Sequence, residues 1–251
     1  MIEDTKTLYN NQATEWNRNE PILLSDYSAR PFVIDLCEPI EHKSILDAGC
    51  GEGYVGRQLI KRGARQVDGM DISEKMIEQA ELQKRTSELF NVNYAVGDIR
   101  TRRIDEKSDY DIVLAMFLFN YLNVEDTSQV MEKIYRVLNS NGYFIFSVPH
   151  PSLAFLKKDK FPFYFETKGG YFSGRNKLFP GEIWRRDRVA VGVQCIHKTI
   201  EDYFVCLKKA GFKKLPEIYE LKITKQQVEL DPEFFTPLID LPLHLAIKVY
   251  K

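Results

Sequence analysis

Ser44-Ile45-Leu46-Asp47-Ala48-Gly49-Cys50-Gly51-Glu52-Gly53-Tyr54 passes from a short apolar run through three alternate glycines into a helical pattern. Glycines at alternate positions permit a tight turn and let backbone N–H groups approach a ligand beside the positive end of a helix dipole. Asp47 adds a fixed negative charge next to that loop. A pyrophosphate is poorly served there, whereas an ammonium or sulfonium group is held. Gly51-Glu52-Gly53-Tyr54-Val55-Gly56 is also a literal GxGxxG, the dinucleotide fingerprint. Its register is wrong, because the fingerprint begins directly after the strand and the glycine set starting at Gly49 has Tyr54 in third position.

Outward from this stretch, short apolar runs alternate with helical ones. Ser44 to Asp47, Gln66 to Asp71, Val92 to Val96, Tyr110 to Met116 and Tyr143 to Val148 read as strands. Helices are expected from about Tyr54 to Arg62, Glu74 to Leu89 with Ser73 as N-cap, and Thr127 to Leu138. Such alternation implies crossover units and a parallel sheet covered on both faces. Two helical stretches, about 4 to 17 and 26 to 37, precede this core. A helix near Thr199 to Ala210 stops at Gly211. Phe212 to Ile223 and His244 to Tyr250 then read as strands with no helix between them, and an antiparallel closing pair fits. The expected fold class is α/β, a Rossmann-like open seven-stranded sheet with helices on both faces and an antiparallel final strand. The expectation is a single domain over 1–251, with a helical lid at 1–42, a cofactor-binding core at 43–150, an inserted flap at 151–196 and a C-terminal helix and strands at 197–251.

Composition excludes several classes. At 251 residues, with 44% hydrophobic and 12% aromatic residues, the chain is core-forming. With 35 Lys+Arg against 36 Asp+Glu it presents no broad basic field for duplex nucleic acid. The longest apolar run, Ile112 to Phe119, is far short of the roughly 20 residues a membrane span needs, so no membrane partner is expected. Met1 to Lys6 resembles no secretion signal, and a cytoplasmic location is the expectation. Cys37, Cys50, Cys195 and Cys206 lack metal-like spacing and read as reduced thiols; no metal is expected.

Asp71 ends the second strand, where a carboxylate can accept from ribose hydroxyls. Asp98, in Gly97-Asp98-Ile99 after the third, can accept from an adenine amine while Ile99 packs on the ring. Three acids at successive strand ends lie at the carboxyl edge, where open α/β sheets bind ligands. On these motifs the chain resembles the class I S-adenosylmethionine-dependent methyltransferases, strongly over 44–148. The resemblance implies S-adenosylmethionine as cofactor, with S-adenosylhomocysteine as product. It assigns Asp47, Gly49 and Gly51 to the cofactor loop, Asp71 to the ribose, and Asp98 and Ile99 to adenine, with Ile72 and Met76 also in the cofactor-binding set. Ala115 and Met116 match positions near the cofactor's amino-acid end. Tyr9 to Trp16 is similar to the leading helix that folds over the cofactor in small-molecule members, so Tyr9 and Trp16 join the cofactor set. Phe117-Leu118-Phe119-Asn120 stands where base-methylating members carry an Asn- or Asp-Pro-Pro-aromatic motif, which argues against that role.

The acceptor is expected to be a small molecule, methylated on oxygen or nitrogen, with catalysis by proximity and in-line orientation. A histidine base is sought at His150, after strand five, and at His197; His42 and His244 are set aside as lying at strand starts. Asn120, Tyr121, Tyr171 and Trp184 are candidate acceptor contacts. Residues 151–190 carry nine lysines and arginines against four acids, and nine aromatics. A flap over the acceptor fits this composition, with Phe163, Tyr164, Tyr171 and Trp184 as flat walls and Arg175, Arg185 and Arg186 pairing an anionic part. A nucleic-acid groove is the competing reading of the same residues. Two other classes remain. An NAD-dependent oxidoreductase would use the GxGxxG and the Tyr164-to-Lys168 spacing, although Pro162 and Gly169-Gly170 argue against a helix there. A non-catalytic partner protein could keep the cofactor fold.

Overall fold

The computed structural model describes residues 4–18, 20–102, 110–156 and 160–251. Residues 1–3, at the head of the segment read above for a secretion signal, lie outside the described residues. The N-terminal segment forms α1 (Thr5–Asn11), α2 (Ala13–Trp16), α3 (Leu24–Ser28) and α4 (Arg30–Asp35). Each expected helix is thus split into two short pieces. The core follows as β1 (Ser44–Ala48), α5 (Tyr54–Lys61), β2 (Gln66–Asp71), α6 (Glu74–Thr86), β3 (Val92–Val96), β4 (Tyr110–Met116), α7 (Val124–Val137) and β5 (Leu138–Pro149). After a short α8 (Leu153–Leu156) come β6 (Phe163–Phe165), β7 (Leu178–Trp184), β8 (Ala190–Ile196), α9 (Ile200–Ala210), β9 (Glu217–Leu221), α10 (Lys225–Leu230), α11 (Pro232–Phe235) and β10 (His244–Tyr250).

Seven strands form one sheet in the order β3-β2-β1-β4-β5-β10-β9, the first five parallel and β10 antiparallel to both its neighbours. Successive side chains of a strand point to opposite faces, and the two cores divide accordingly. Val113, Ala115, Phe144, Phe146, Leu245 and Ile247 join one buried cluster, with α7 and α9. Ile112, Leu114, Tyr143, Ile145 and Ala246 join the other, with α4 and α5. Two covered faces explain why β4 reads as an unbroken apolar run rather than an alternating one. Phe119, Phe144 and Phe146 are fully buried, and rings 5.2 to 5.9 Å apart fill the first core.

Helix ends follow their sequence signals. Ser73 Oγ accepts from Met76 N–H at the start of α6. Thr199 and Asp202 form a reciprocal capping box on α9, which ends at Gly211 in the left-handed region. Three expectations need correction. The interval between the closing strands is helical: Thr224 and Gln227 box the start of α10, and Asp231 caps α11 ahead of Pro232. Consequently α9, which follows His197-Lys198-Thr199, is not the last helix. The strand sought over Phe212 to Ile223 shrinks to β9. The segment 151–196 also holds its own antiparallel sheet, β6-β7-β8.

Candidate functional site

The loop after β1 turns back on the sheet edge. Gly49, Gly51 and Gly53 all have positive φ, and the N–H groups of Gly49 and Cys50 donate to the Met70 carbonyl at 2.8 and 3.0 Å. A Cβ at Gly53 would sit 2.3 Å from the Tyr94 hydroxyl, so this glycine serves packing. A Cβ at Gly51 would meet nothing within 4 Å: it faces a cavity of about 620 Å³. That cavity runs along the carboxyl edge of the sheet and under the β6-β7-β8 sheet.

The strand-tip acids meet here in different states. Asp47 is 1% exposed, and neither carboxylate oxygen has a hydrogen-bond partner. Burial, then the nearby Asp71, pushes its carboxyl up to about 7. Asp71 accepts from the N–H groups of Gly51 (2.9 Å) and Ser73 (3.0 Å), which ties loop to strand tip and fixes the carboxylate's orientation. Arg100 grips Asp98, Nη2 to Oδ2 at 2.7 Å, and holds its carboxyl below the usual range. Ile72, Met76, Ile99 and Met116 line the same cavity.

Helix α1 lies over these tips. Asn10 Oδ1 accepts from Ser73 Oγ at 2.7 Å, Tyr9 and Tyr121 share a hydrogen bond between their hydroxyls, and Tyr9 packs 5.3 Å from the Trp16 ring. Tyr9, Trp16, Asn120 and Tyr121 all line the cavity. Asn120 is 3% exposed and its Oδ1 has no partner.

Five of the expected site residues fall outside the cavity lining. Ala115 is buried within the sheet. His150 has both ring nitrogens engaged, Nδ1 with Ser152 Oγ at 2.7 Å and Nε2 with Glu220 at 3.1 Å. His197 stacks on Phe179, and its Nε2 contacts the Tyr171 carbonyl at 2.7 Å. Both histidines border a separate hollow of about 20 Å³, the size of one water. Tyr171 packs against His197, and Trp184 against Phe161 and Tyr164. Strand periodicity explains the His150 error: Pro149 faces the cavity, so its successor turns away. The flap arginines are also committed elsewhere: Arg175 to Asp202, Arg185 to Asp187, and Arg186 to Tyr27 and Asp231.

Other residues take these places. Of the expected flap walls Phe163 does line the cavity and Tyr164 does not, and Phe165, Leu178, Ile183, Val193 and Gln194 of the small sheet line it beside Phe163. Lys198, fully buried, donates to the carbonyls of Leu122 and Ile196 and pins the end of β8 to the loop after β4. A buried ion chain runs Arg57–Glu52–Arg18–Asp26–Arg30, with contacts of 2.6, 3.0, 2.9 and 2.9 Å. It couples the glycine loop to the N-terminal segment, and its Arg18 and Arg30 line the cavity. His244 lines it too. Its place was legible: an antiparallel strand begins where its neighbour ends, so the first residue of β10 pairs with Pro149, the last of β5, at the carboxyl edge. The ion chain joins residues up to 39 positions apart in sequence and carries no local signal.

Residues 45–142 match a family model described as a methyltransferase domain. Over these residues the chain carries the core of a class I S-adenosylmethionine-dependent methyltransferase. Over 136 residues, 53% of each chain, it is 33% identical to an uncharacterized protein of Haemophilus influenzae. It is 31% identical over 124 residues to a malonyl-[acyl-carrier protein] O-methyltransferase of Halalkalibacterium halodurans, covering 48% of this chain and 44% of that one. The chain therefore spans about half the length of these curated relatives. A solved S-adenosylmethionine dependent methyltransferase from Mesorhizobium loti superposes with a TM-score of 0.66 at 22% identity, over 87% of this chain and 96% of that one, and shares the fold. The cavity fits the family's cofactor: an unpartnered buried carboxylate suits a cationic ligand, and a carboxylate oriented by backbone amides at the second strand tip suits ribose hydroxyls.

Proposed function

We propose that the protein transfers a methyl group from S-adenosylmethionine to a small-molecule acceptor, on oxygen or nitrogen. The observation that carries this reading is Asp47, a carboxylate buried in the cavity wall with both oxygens unpartnered. A buried charge lacking a partner is costly, and a cationic ligand supplies the missing one. Asp47 would hold the cationic amino-acid end, Asp71 the ribose and Asp98 with Ile99 the adenine, while Tyr9 and Trp16 close over the top. Bound there, the cofactor supplies an electrophilic methyl. The chain's own contribution is orientation and exclusion of water, through the β6-β7-β8 sheet over the acceptor half. The O-methyltransferase named among the relatives supports oxygen as acceptor atom.

The dinucleotide reading is disfavoured by the same acid, because a pyrophosphate beside Asp47 and Asp71 meets like charge. The sheet also closes with β10 and β9 antiparallel, without the second parallel half of a dinucleotide-binding fold. Thermal-shift titration with S-adenosylhomocysteine and with NAD tests this directly, since a ligand that binds the native state raises its melting temperature. Stabilisation by NAD alone sinks the proposal. Mass-spectrometric screening of cell extracts for a gained methyl group then identifies the acceptor, and no gain with any extract favours the non-catalytic partner.

A further inference from the structure

We propose that His244 selects the acceptor: its Nε2 accepts a hydrogen bond from an O–H or N–H carried on an apolar body. The inference rests on the methyl-transfer reading above and assigns a residue that neither the strand-tip motif nor the flap composition singles out.

The argument starts from Ser28. Its Oγ lies 2.9 Å from the Leu24 carbonyl and 2.9 Å from His244 Nδ1. A hydroxyl has one proton and a carbonyl can only accept, so both contacts are satisfied only when Oγ donates to Leu24 and accepts from Nδ1–H. That fixes the tautomer: Nδ1 carries the proton and Nε2 carries the lone pair. No described residue bonds Nε2, and the ring lines the cavity. Burial, then the like charges of Arg30 and His150, pushes the ring down to about 3, so it stays neutral and keeps its lone pair.

The surroundings give the rest of the acceptor's chemistry. Phe117 stands edge-on to the imidazole at 5.1 Å, with the Arg30 guanidinium 5.3 Å from its own ring. Phe117 keeps a positive φ of 58° at the end of β4, a strained backbone for a bulky residue, and such strain concentrates where a side chain must be held in one place. Leu24, Leu153 and Phe163 continue the wall as one apolar cluster that reaches Leu243, the residue before the histidine. A lone pair fixed at the end of an apolar pocket prefers a donor group over an isosteric methyl, because the methyl leaves Nε2 desolvated and without a partner.

The test uses two probes of one shape, 4-ethylphenol and 4-ethyltoluene, titrated calorimetrically into the protein saturated with S-adenosylhomocysteine. Wild type should bind the phenol about three- to tenfold more tightly. In His244→Asn the amide reaches only the place of Nδ1, so the Ser28 contact survives and the preference should vanish. In His244→Gln the amide oxygen reaches the place of Nε2, and part of the preference should return. Equal binding of the two probes by wild type, no binding of the phenol, or a preference surviving in His244→Asn would overturn the assignment. So would an Nε2-protonated tautomer in ¹⁵N spectra of the wild type. S-adenosylhomocysteine affinity is measured first on every variant. Its absence in wild type defeats the methyl-transfer reading, whereas its presence without a phenol preference defeats the role of His244 alone.

Discussion

The two halves of the cavity are built on different plans. The half proposed for the cofactor is a row of strand tips: Asp47 stands near the end of β1, Asp71 ends β2 and Asp98 follows β3, and each is set by a few residues on either side of it. The half proposed for the acceptor is assembled from pieces distant in sequence, namely Leu24 of α3, Phe117 after β4, Phe163 and Ile183 of the small sheet, and His244 of β10. The difference teaches where specificity can change without loss of the cofactor. Strand tips are fixed by the sheet's register, whereas the acceptor wall can be rebuilt by side-chain exchange in the small sheet.

The sharpest way to break this division lies within the glycine loop. Gly51→Val should lower S-adenosylhomocysteine affinity by about 100-fold or more, about 2.7 kcal/mol by calorimetry, because the new side chain enters the cavity in a backbone region that valine resists. Gly53→Ala should instead lower the melting temperature, at a cost of about 1–3 kcal/mol, through collision with Tyr94. Normal ligand binding by Gly51→Val would remove the loop from the site. Next in size, Asp71→Ala should lose about 1.5–3 kcal/mol of the same affinity. It should also soften the fold by releasing the Gly51 and Ser73 amides.

The pH dependence sharpens the electrostatic side. Asp47 has a folded value near 7, above its unfolded value, so its contribution to stability is fully present below about pH 4 and is lost as pH rises through 7. At pH 8 the penalty reaches about 4 kcal/mol in the free protein. Asp47→Asn should therefore raise the melting temperature of the free protein at pH 8 and change it little at pH 4. Binding has the opposite sign: a cation needs the ionised carboxylate, so affinity for S-adenosylmethionine should rise from pH 5 to 7 and level off above. Calorimetry in buffers of different ionisation enthalpy should register proton release near pH 6, and a flat profile would refute the role of Asp47.

On the acceptor side, Phe163→Ala should reduce turnover of the acceptor about tenfold while leaving S-adenosylhomocysteine affinity within about twofold. Equal losses in both would show that the halves are not separable. The smallest effect is expected for Arg186→Gln, which should change the acceptor's KM by less than about twofold, because that guanidinium is held by Tyr27 and Asp231.

The contrast also explains what was readable in the sequence. β1 to β4, the Ser73 cap and the three strand-tip acids are local: apolar period, turn glycines and a capping hydroxyl sit within a few residues of one another. Thr224-to-Gln227 and Asp231-Pro232 were equally local signals for α10 and α11, passed over because an antiparallel pair was expected to be joined without helices. The acceptor wall is different in kind. Whether a flap aromatic faces the cavity depends on the parity of a strand that composition does not reveal, so of the four expected walls Phe163 lines the cavity while Tyr164, Tyr171 and Trp184 do not, and Ile183 stands where Trp184 was expected. His150 failed by the same one-residue alternation, and His244, which pairs with Pro149 across the sheet, holds the position instead. Arginine charge in the flap suggested an anionic acceptor, but counting cations says nothing of the acids that neutralise them.

Fastening α1 at the adjacent Tyr9 and Asn10 has a kinetic consequence. Tyr9 meets Tyr121 on one side, and Asn10 takes the hydroxyl of Ser73 and the amide of Lys75 on the other. A ligand entering beneath this helix toward Asp71 would have to part those contacts first, which would slow its arrival and its departure alike. Exchange at that end of the cavity would then run at the pace of the helix, while the end walled by the β6-β7-β8 sheet would keep a clock of its own.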